Sequence, residues 1–106
     1  MLIRTAKEAG NSVRFLLTDS WEMGLVNWTE RFPEEFRRFR GYDLWRYLPV
    51  MTGRVVESPE VSNRFLQDVR RTVSDCILNY HYKPFRELAN AHGMMTDPEA
   101  GGPCYT

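Results

Sequence analysis

Thr18-Asp19-Ser20-Trp21-Glu22-Met23-Gly24 and Thr96-Asp97-Pro98-Glu99-Ala100-Gly101-Gly102 are two versions of one phrase, and each has the same run-up. Ala6-Lys7-Glu8-Ala9-Gly10 reads as a last helical turn stopped by glycine, and the apolar run Val13-Arg14-Phe15-Leu16-Leu17 follows it. Ala89-Asn90-Ala91-His92-Gly93 reads the same way, with Met94-Met95 behind it. Glycine stops helices because it enters left-handed backbone without steric cost. A helix, a glycine, a short apolar strand and then acids with glycine make an αβ unit whose carboxylates sit at the strand's C-terminal end. Barrels and open α/β sheets keep their chemistry at that end. The expected fold is α/β and helix-dominated, with two short parallel strands joined by a long helical connection. The apolar residues of Val13 to Leu17 do not strictly alternate, which predicts a strand covered on both faces.

The connection divides by its punctuation. Thr29 is placed to cap a helix with Pro33 in its first turn. Glu34 and Glu35 then fall near the positive end of the helix dipole, and Arg37, Arg38 and Arg40 near the negative end. Phe32, Phe36 and Phe39 share a face, Gly41 closes the helix, and the charged run is expected to be a solvated surface. Tyr42 to Pro49 is too aromatic for a free linker and reads as a short helical turn ended by Pro49. Val50 to Val56 fits a short element or a loop. Ser58-Pro59-Glu60 opens the longest helix, along which Val61, Phe65, Val69, Val73 and Ile77 recur every four residues. Pro84 predicts a kink or a restart, after which Phe85, Leu88, Ala89 and His92 carry the pattern to Gly93.

Bulk properties exclude several classes. Fourteen Lys and Arg balance fourteen Asp and Glu, so no net field argues for a nucleic-acid partner. No apolar run is long enough to span a bilayer, and Met1-Leu2-Ile3-Arg4 does not begin a signal peptide. Cys76 and Cys104 lack metal spacing, and Cys76 reads as a small core residue. The chain opens on a helix tail and stops just after the second acid-tipped strand. The expectation is one segment, residues 1–106, of a longer protein.

Paired carboxylates across a glycosidic bond are the usual means of cleaving it, one donating a proton and the other activating water or attacking the sugar. Glu22 and Glu99 are the natural catalytic candidates. Asp19 and Asp97, nearer the strand ends, could orient a partner, join the glutamates around a hard cation, or cap a following turn. Trp21 and Trp28, with Asn27 between, could wall a sugar ring or pack their loop down.

Asp19-Ser20-Trp21-Glu22, Asn27-Trp28-Thr29, Arg40-Gly41-Tyr42-Asp43, Tyr47-Leu48-Pro49-Val50 and Gly53-Arg54-Val55-Val56 resemble, in order, the central part of glycoside hydrolase family 106, the α-L-rhamnosidases. Arg64-Phe65-Leu66, Asp68 to Asp75, Asn79-Tyr80-His81-Tyr82, His92-Gly93-Met94 and Glu99-Ala100-Gly101-Gly102 continue the likeness. The resemblance implies a segment of a (β/α)8 catalytic barrel in a larger enzyme. That enzyme would hydrolyse terminal α-L-rhamnosyl linkages with inversion, using carboxylates and a bound calcium. It implies Glu22 and Glu99 as catalytic acids; beside them, Asp19, Trp21, Asn27 and Trp28 are expected as substrate contacts, and Asp97 and Glu99 as metal ligands. The implied partner is a rhamnosylated glycan or glycoside, and the isolated segment is expected to be inactive and to self-associate through exposed barrel edges. The parent would be an exported bacterial enzyme. The competing expectation is a small helical interaction or carbohydrate-binding module without catalysis.

Overall fold

In the computed structural model, residues 13–20 and 27–99 are described. They form two compact units, one holding residues 26–79 and the other the chain on either side of it.

The helical unit is built on aromatic packing. Helix α1 spans Phe32–Arg40, a run of 3₁₀ turns spans Trp45–Thr52, and helix α2 spans Pro59–Ile77. Pro33 lies in the first turn of α1, with Glu34 and Glu35 there and Arg37, Arg38 and Arg40 in the last. Thr29 does not cap this helix with its side chain: its carbonyl accepts from the Phe32 N–H at 3.0 Å, and Arg31 occupies the cap position. Gly41 closes α1 at φ 83°, its N–H bonded to the Arg37 carbonyl at 2.8 Å. The 3₁₀ run continues through Pro49 instead of ending there, because proline at that point costs only one amide donor and Gly53 supplies the left-handed stop.

Ser58 caps α2, its hydroxyl accepting from the Val61 N–H at 3.1 Å. Of the predicted stripe, Phe65 and Val69 are buried, and Val61, Val73 and Ile77 are half-buried. Phe32, Phe36, Leu44, Val50, Phe65 and Val69 form the core. Phe36 lies 5.7 Å from Phe65 and 5.0 Å from Tyr42, centroid to centroid, and Tyr47 stacks on Phe65 at 5.5 Å. Such rings supply large buried area plus a favourable edge term. Phe39 is only half-buried; the Arg38 guanidinium lies over it, 4.6 Å from the ring centre. Buried Ser62 ties the preceding loop to α2, accepting from the Val56 N–H at 2.9 Å and donating to the Val56 carbonyl at 3.0 Å. That loop holds Glu57 at φ 63°, a left-handed value unusual for a residue with a side chain. Its carboxylate receives Arg46 at 2.8 Å and the Tyr47 hydroxyl at 3.3 Å, contacts that offset the backbone strain.

One sequence expectation fails here. Arg40 does not lie on a solvated face: its side chain is only 16% exposed and pairs with Asp75 of α2. The helical wheel places Arg40 beside the buried stripe, and an acid on the neighbouring helix holds it there.

In the other unit, strand β1 (Phe15–Thr18) pairs in parallel with strand β2 (Met95–Pro98), Phe15 opposite Met95 and Thr18 opposite Pro98. After α2 a π turn at Leu78–Tyr82 precedes helix α3, Lys83–Ala91, with Pro84 in its first turn. Proline cannot donate into the preceding turn, so the break predicted at Pro84 is met by a widened turn and a restart. Gly93 at φ 71° then turns the chain into β2. Ala89 and Met94 are buried, and the Met94 N–H reaches the Ala89 carbonyl at 2.9 Å. β1 is not covered on both faces: Phe15 and Leu17 are exposed while Leu16 and Thr18 are half-buried. Among the described residues only two strands pair, and a two-stranded ribbon cannot bury both of its faces. The predicted helix end at residues 2–9 lies outside the described residues, and none of the described helices is long and apolar enough to cross a membrane.

Candidate functional site

Parallel pairing sends both strands' C-terminal ends in one direction. Leu17 lies opposite Asp97 and Thr18 opposite Pro98, so Asp19 and Glu99 are the next residues out of the sheet on the two chains. The Glu99 N–H donates to the Thr18 carbonyl at 2.9 Å, which carries the ladder one residue past the strand and fixes the backbone of Glu99 beside β1. Pro98 donates no hydrogen bond, and Glu99 supplies the next donor. The side chains of Asp19, Asp97 and Glu99 are exposed at this end.

Asp19 accepts from the Ser20 N–H at 2.8 Å. That bond leaves other lone pairs of the carboxylate available. Glu99 offers its carbonyl to the Tyr82 hydroxyl in a long contact of 3.5 Å. Glu22 and Trp21 lie outside the described residues, as does Cys104.

Asn27 and Trp28 are described in the helical unit, and both are exposed. The Trp28 ring lies 5.5 Å from Phe32 and 6.3 Å edge-on from Trp45. Trp28 thus packs its own region, yet keeps 39% of its surface free, and Trp45 keeps 58%. Trp45 was hidden within an aromatic stretch that reads as packing; only its exposure separates it from Tyr42 and Tyr47.

Calcium takes six to eight oxygen ligands. Among the described residues, no group of three or more His, Cys, Asp and Glu converges where it could hold a metal ion. His81 stacks over Phe85 at 6.4 Å, and His92 sits at the end of α3 with Nδ1 2.9 Å from the Leu88 carbonyl, so helix packing and helix capping account for both.

Two other titratable groups are shaped by the helical unit. Burial, and then the hydrogen bond to Asp68 at 2.9 Å, push the Tyr42 hydroxyl far above the ordinary tyrosine range. Burial, with Glu35 and Asp75 nearby, pushes the Cys76 thiol up, which makes it a poor nucleophile. Cys76, read from the sequence as a small core residue, is only half-buried on α2.

Residues 2–104 match the family described as alpha-L-rhamnosidase, glycoside hydrolase family 106. The chain is similar to a solved rhamnosidase from Novosphingobium sp. PP1Y, with 40% identity and a TM-score of 0.75; the match covers 93% of this chain and 10% of that one. It is also similar to a Formosa agariphila protein named "Putative beta-glucuronidase", 45% identical over 90 residues, which are 85% of this chain and 8% of that protein. The chain thus spans about a tenth of the length of the relatives it matches. Its helix-dominated structure, with two short parallel strands and one long helix, resembles part of the rhamnosidase. The chain belongs to glycoside hydrolase family 106, the α-L-rhamnosidases.

Proposed function

We propose that this chain is a segment of an inverting α-L-rhamnoside hydrolase, and that Glu22 and Glu99 are two of that enzyme's site carboxylates. Its strands would be neighbours in a (β/α)8 barrel. The observation that carries the reading is the parallel pair itself, which sets an acidic turn beside Glu99 at one C-terminal strand end. That is the end at which barrels of this kind place their chemistry.

In an inverting hydrolysis, one carboxyl group protonates the glycosidic oxygen as the bond breaks. The other, as carboxylate, takes a proton from the water that attacks the anomeric carbon on the opposite face. Room for that water needs carboxyls about 6.5–9.5 Å apart, whereas adjacent strands lie about 4.8 Å apart. Asp19 and Trp21 would contact the sugar from the first loop, and Asn27 and Trp28 are proposed as further sugar contacts on their side-chain chemistry. No step is assigned to calcium.

On this reading the isolated chain has no activity of its own. The exposed Phe15, Leu17 and Met95, on an open two-stranded ribbon, would make it self-associate. The Formosa relative's name favours a second reading, in which the sugar is a β-glucuronoside.

The test is a transplant. This chain replaces the matching segment of the Novosphingobium rhamnosidase, and the chimera is given a chromogenic α-L-rhamnoside and a chromogenic β-glucuronoside. Turnover of the rhamnoside within about a hundredfold of the host is expected, since small misplacements of site groups cost that much. The first product seen by NMR should be the inverted β-anomer. A folded chimera without turnover would contradict the proposal, initial release of the α-anomer would contradict inversion, and turnover of the glucuronoside alone would favour the second reading.

A further inference from the structure

One depression on the helical unit is bordered by more cations than acids. Arg40 from the end of α1 and Arg70, Arg71, Ser74 and Asp75 of α2 line a single surface depression of about 400 Å³. Three guanidinium groups border it against one carboxylate. Asp75 is engaged by Arg40, so it does not serve Arg71, although the two stand four residues apart on one helix. Basic-before-acidic is also the weaker order for such a helical pair. Arg37, Arg38 and Arg46 each hold an acid, namely Asp43, Glu35 and Glu57. Among the described residues, the side chains of Arg70 and Arg71 make no hydrogen bond or ion pair.

A second observation concerns Arg40. Its Nε is buried without a hydrogen-bond partner, the one such side-chain atom among the described residues. Buried polar atoms in folded proteins are nearly always paired, and an orphan calls for a partner. Arg40 thus brings a largely buried cation to a depression that two exposed arginines and a hydroxyl also border. Arginine is suited to this task, because its planar fork of donors matches the oxygens of sulfate, phosphate and carboxylate.

We propose that this depression binds an oxyanion, with Arg70 and Arg71 as its forked donors, the Ser74 hydroxyl as a third contact and Arg40 as the fixed charge behind them. The site uses none of the strand-end acids, so it stands or falls independently of the hydrolytic proposal. Its ligand is a sulfate, phosphate or carboxylate group, either free or carried by an acidic sugar.

The experiment uses the 106-residue chain, isotopically labelled, with NMR read at the arginine Nε–Hε signals. Sodium sulfate is titrated against sodium chloride at matched ionic strength. Saturable shifts at Arg40, Arg70 and Arg71 with sulfate, and only small linear drift with chloride, are expected. In the Arg70→Gln, Arg71→Gln double variant, whose changes are both on exposed positions, sulfate affinity should fall about tenfold or more, the loss expected from two charge-assisted contacts. The far-UV spectrum of the variant should stay unchanged. Identical behaviour of sulfate and chloride, or saturable binding untouched by the double substitution, would overturn the site. Acetate and D-glucuronate form a second arm. Equal affinity assigns the site to free anions, tighter glucuronate assigns it to an acidic sugar, and either result upholds oxyanion binding.

Discussion

In the helical unit Phe36, Phe65 and Leu44 have almost no contact with solvent, whereas in the strand unit Phe15, Leu17 and Met95 keep more than half of their surface exposed. Both regions are rich in apolar side chains, so composition does not separate them. Geometry does: α1, the 3₁₀ run and α2 close three aromatic-bearing faces on one another, while among the described residues the two paired strands leave Phe15, Leu17 and Met95 uncovered. The better-packed region holds no sequence-predicted catalytic acid. Glu99, one of the two proposed, lies in the more open one.

The comparison breaks most easily at Phe65. Phe65→Ala should cost about 3–5 kcal/mol, the range for emptying a fully packed aromatic site. Chemical denaturation should show a large fall in midpoint, and an unchanged midpoint would deny the helical unit its core. Next comes the inter-helix ion pair. Asp75→Asn leaves the largely buried Arg40 without its anion, and a loss of roughly 1–3 kcal/mol is expected. A loss near zero would mean that Arg40 is solvated in solution.

Tyr42 gives a pH-dependent test of the same core. Burial, and then its bond to Asp68, raise its folded-state pKa, so the folded form holds its proton after the unfolded tyrosine has lost it. Its contribution is fully present below the unfolded value of about 10 and is lost as pH rises beyond it. The stability difference between the wild-type chain and Tyr42→Phe should therefore be flat below that pH and shrink above it. A difference growing with alkalinity would contradict the assignment. The smallest effect is expected in the strand unit, where Leu17→Thr should change stability by no more than about 0.5 kcal/mol, because Leu17 is exposed and threonine suits a strand. A loss comparable to that of Phe65→Ala would show that the strand face is covered in solution.

How far the sequence could be read follows the same division. The α2 stripe, its Ser58 cap, the restart at Pro84 and the two strands were all legible, because each rests on local periodicity or on one residue's backbone preference. The parallel pairing was legible from the repeated αβ phrase, although the residues that pair lie far apart in the chain. Arg40 was misread because charge order along one helix says nothing about an acid on the next. Cover on both faces of β1 was misread because strand hydrophobicity does not reveal how many strands are present. The exposure of Trp45 depends on which neighbours reach it, which no local pattern encodes. For the candidate site, the strand register puts Asp19 and Glu99 side by side, and the roles proposed for the glutamates rest on chemistry and on family membership.

The most direct test of the account is the activity of the rhamnosidase chimera carrying Glu22→Gln or Glu99→Gln, measured as kcat on the chromogenic α-L-rhamnoside with folding checked by circular dichroism. Each substitution keeps the shape of the side chain and removes its acid–base function. Each is expected to lower kcat by about 10²–10⁴-fold, the usual contribution of a positioned acid or base, with KM little changed. A folded chimera that keeps its kcat with both glutamates replaced would contradict the claim that these strand ends carry the chemistry.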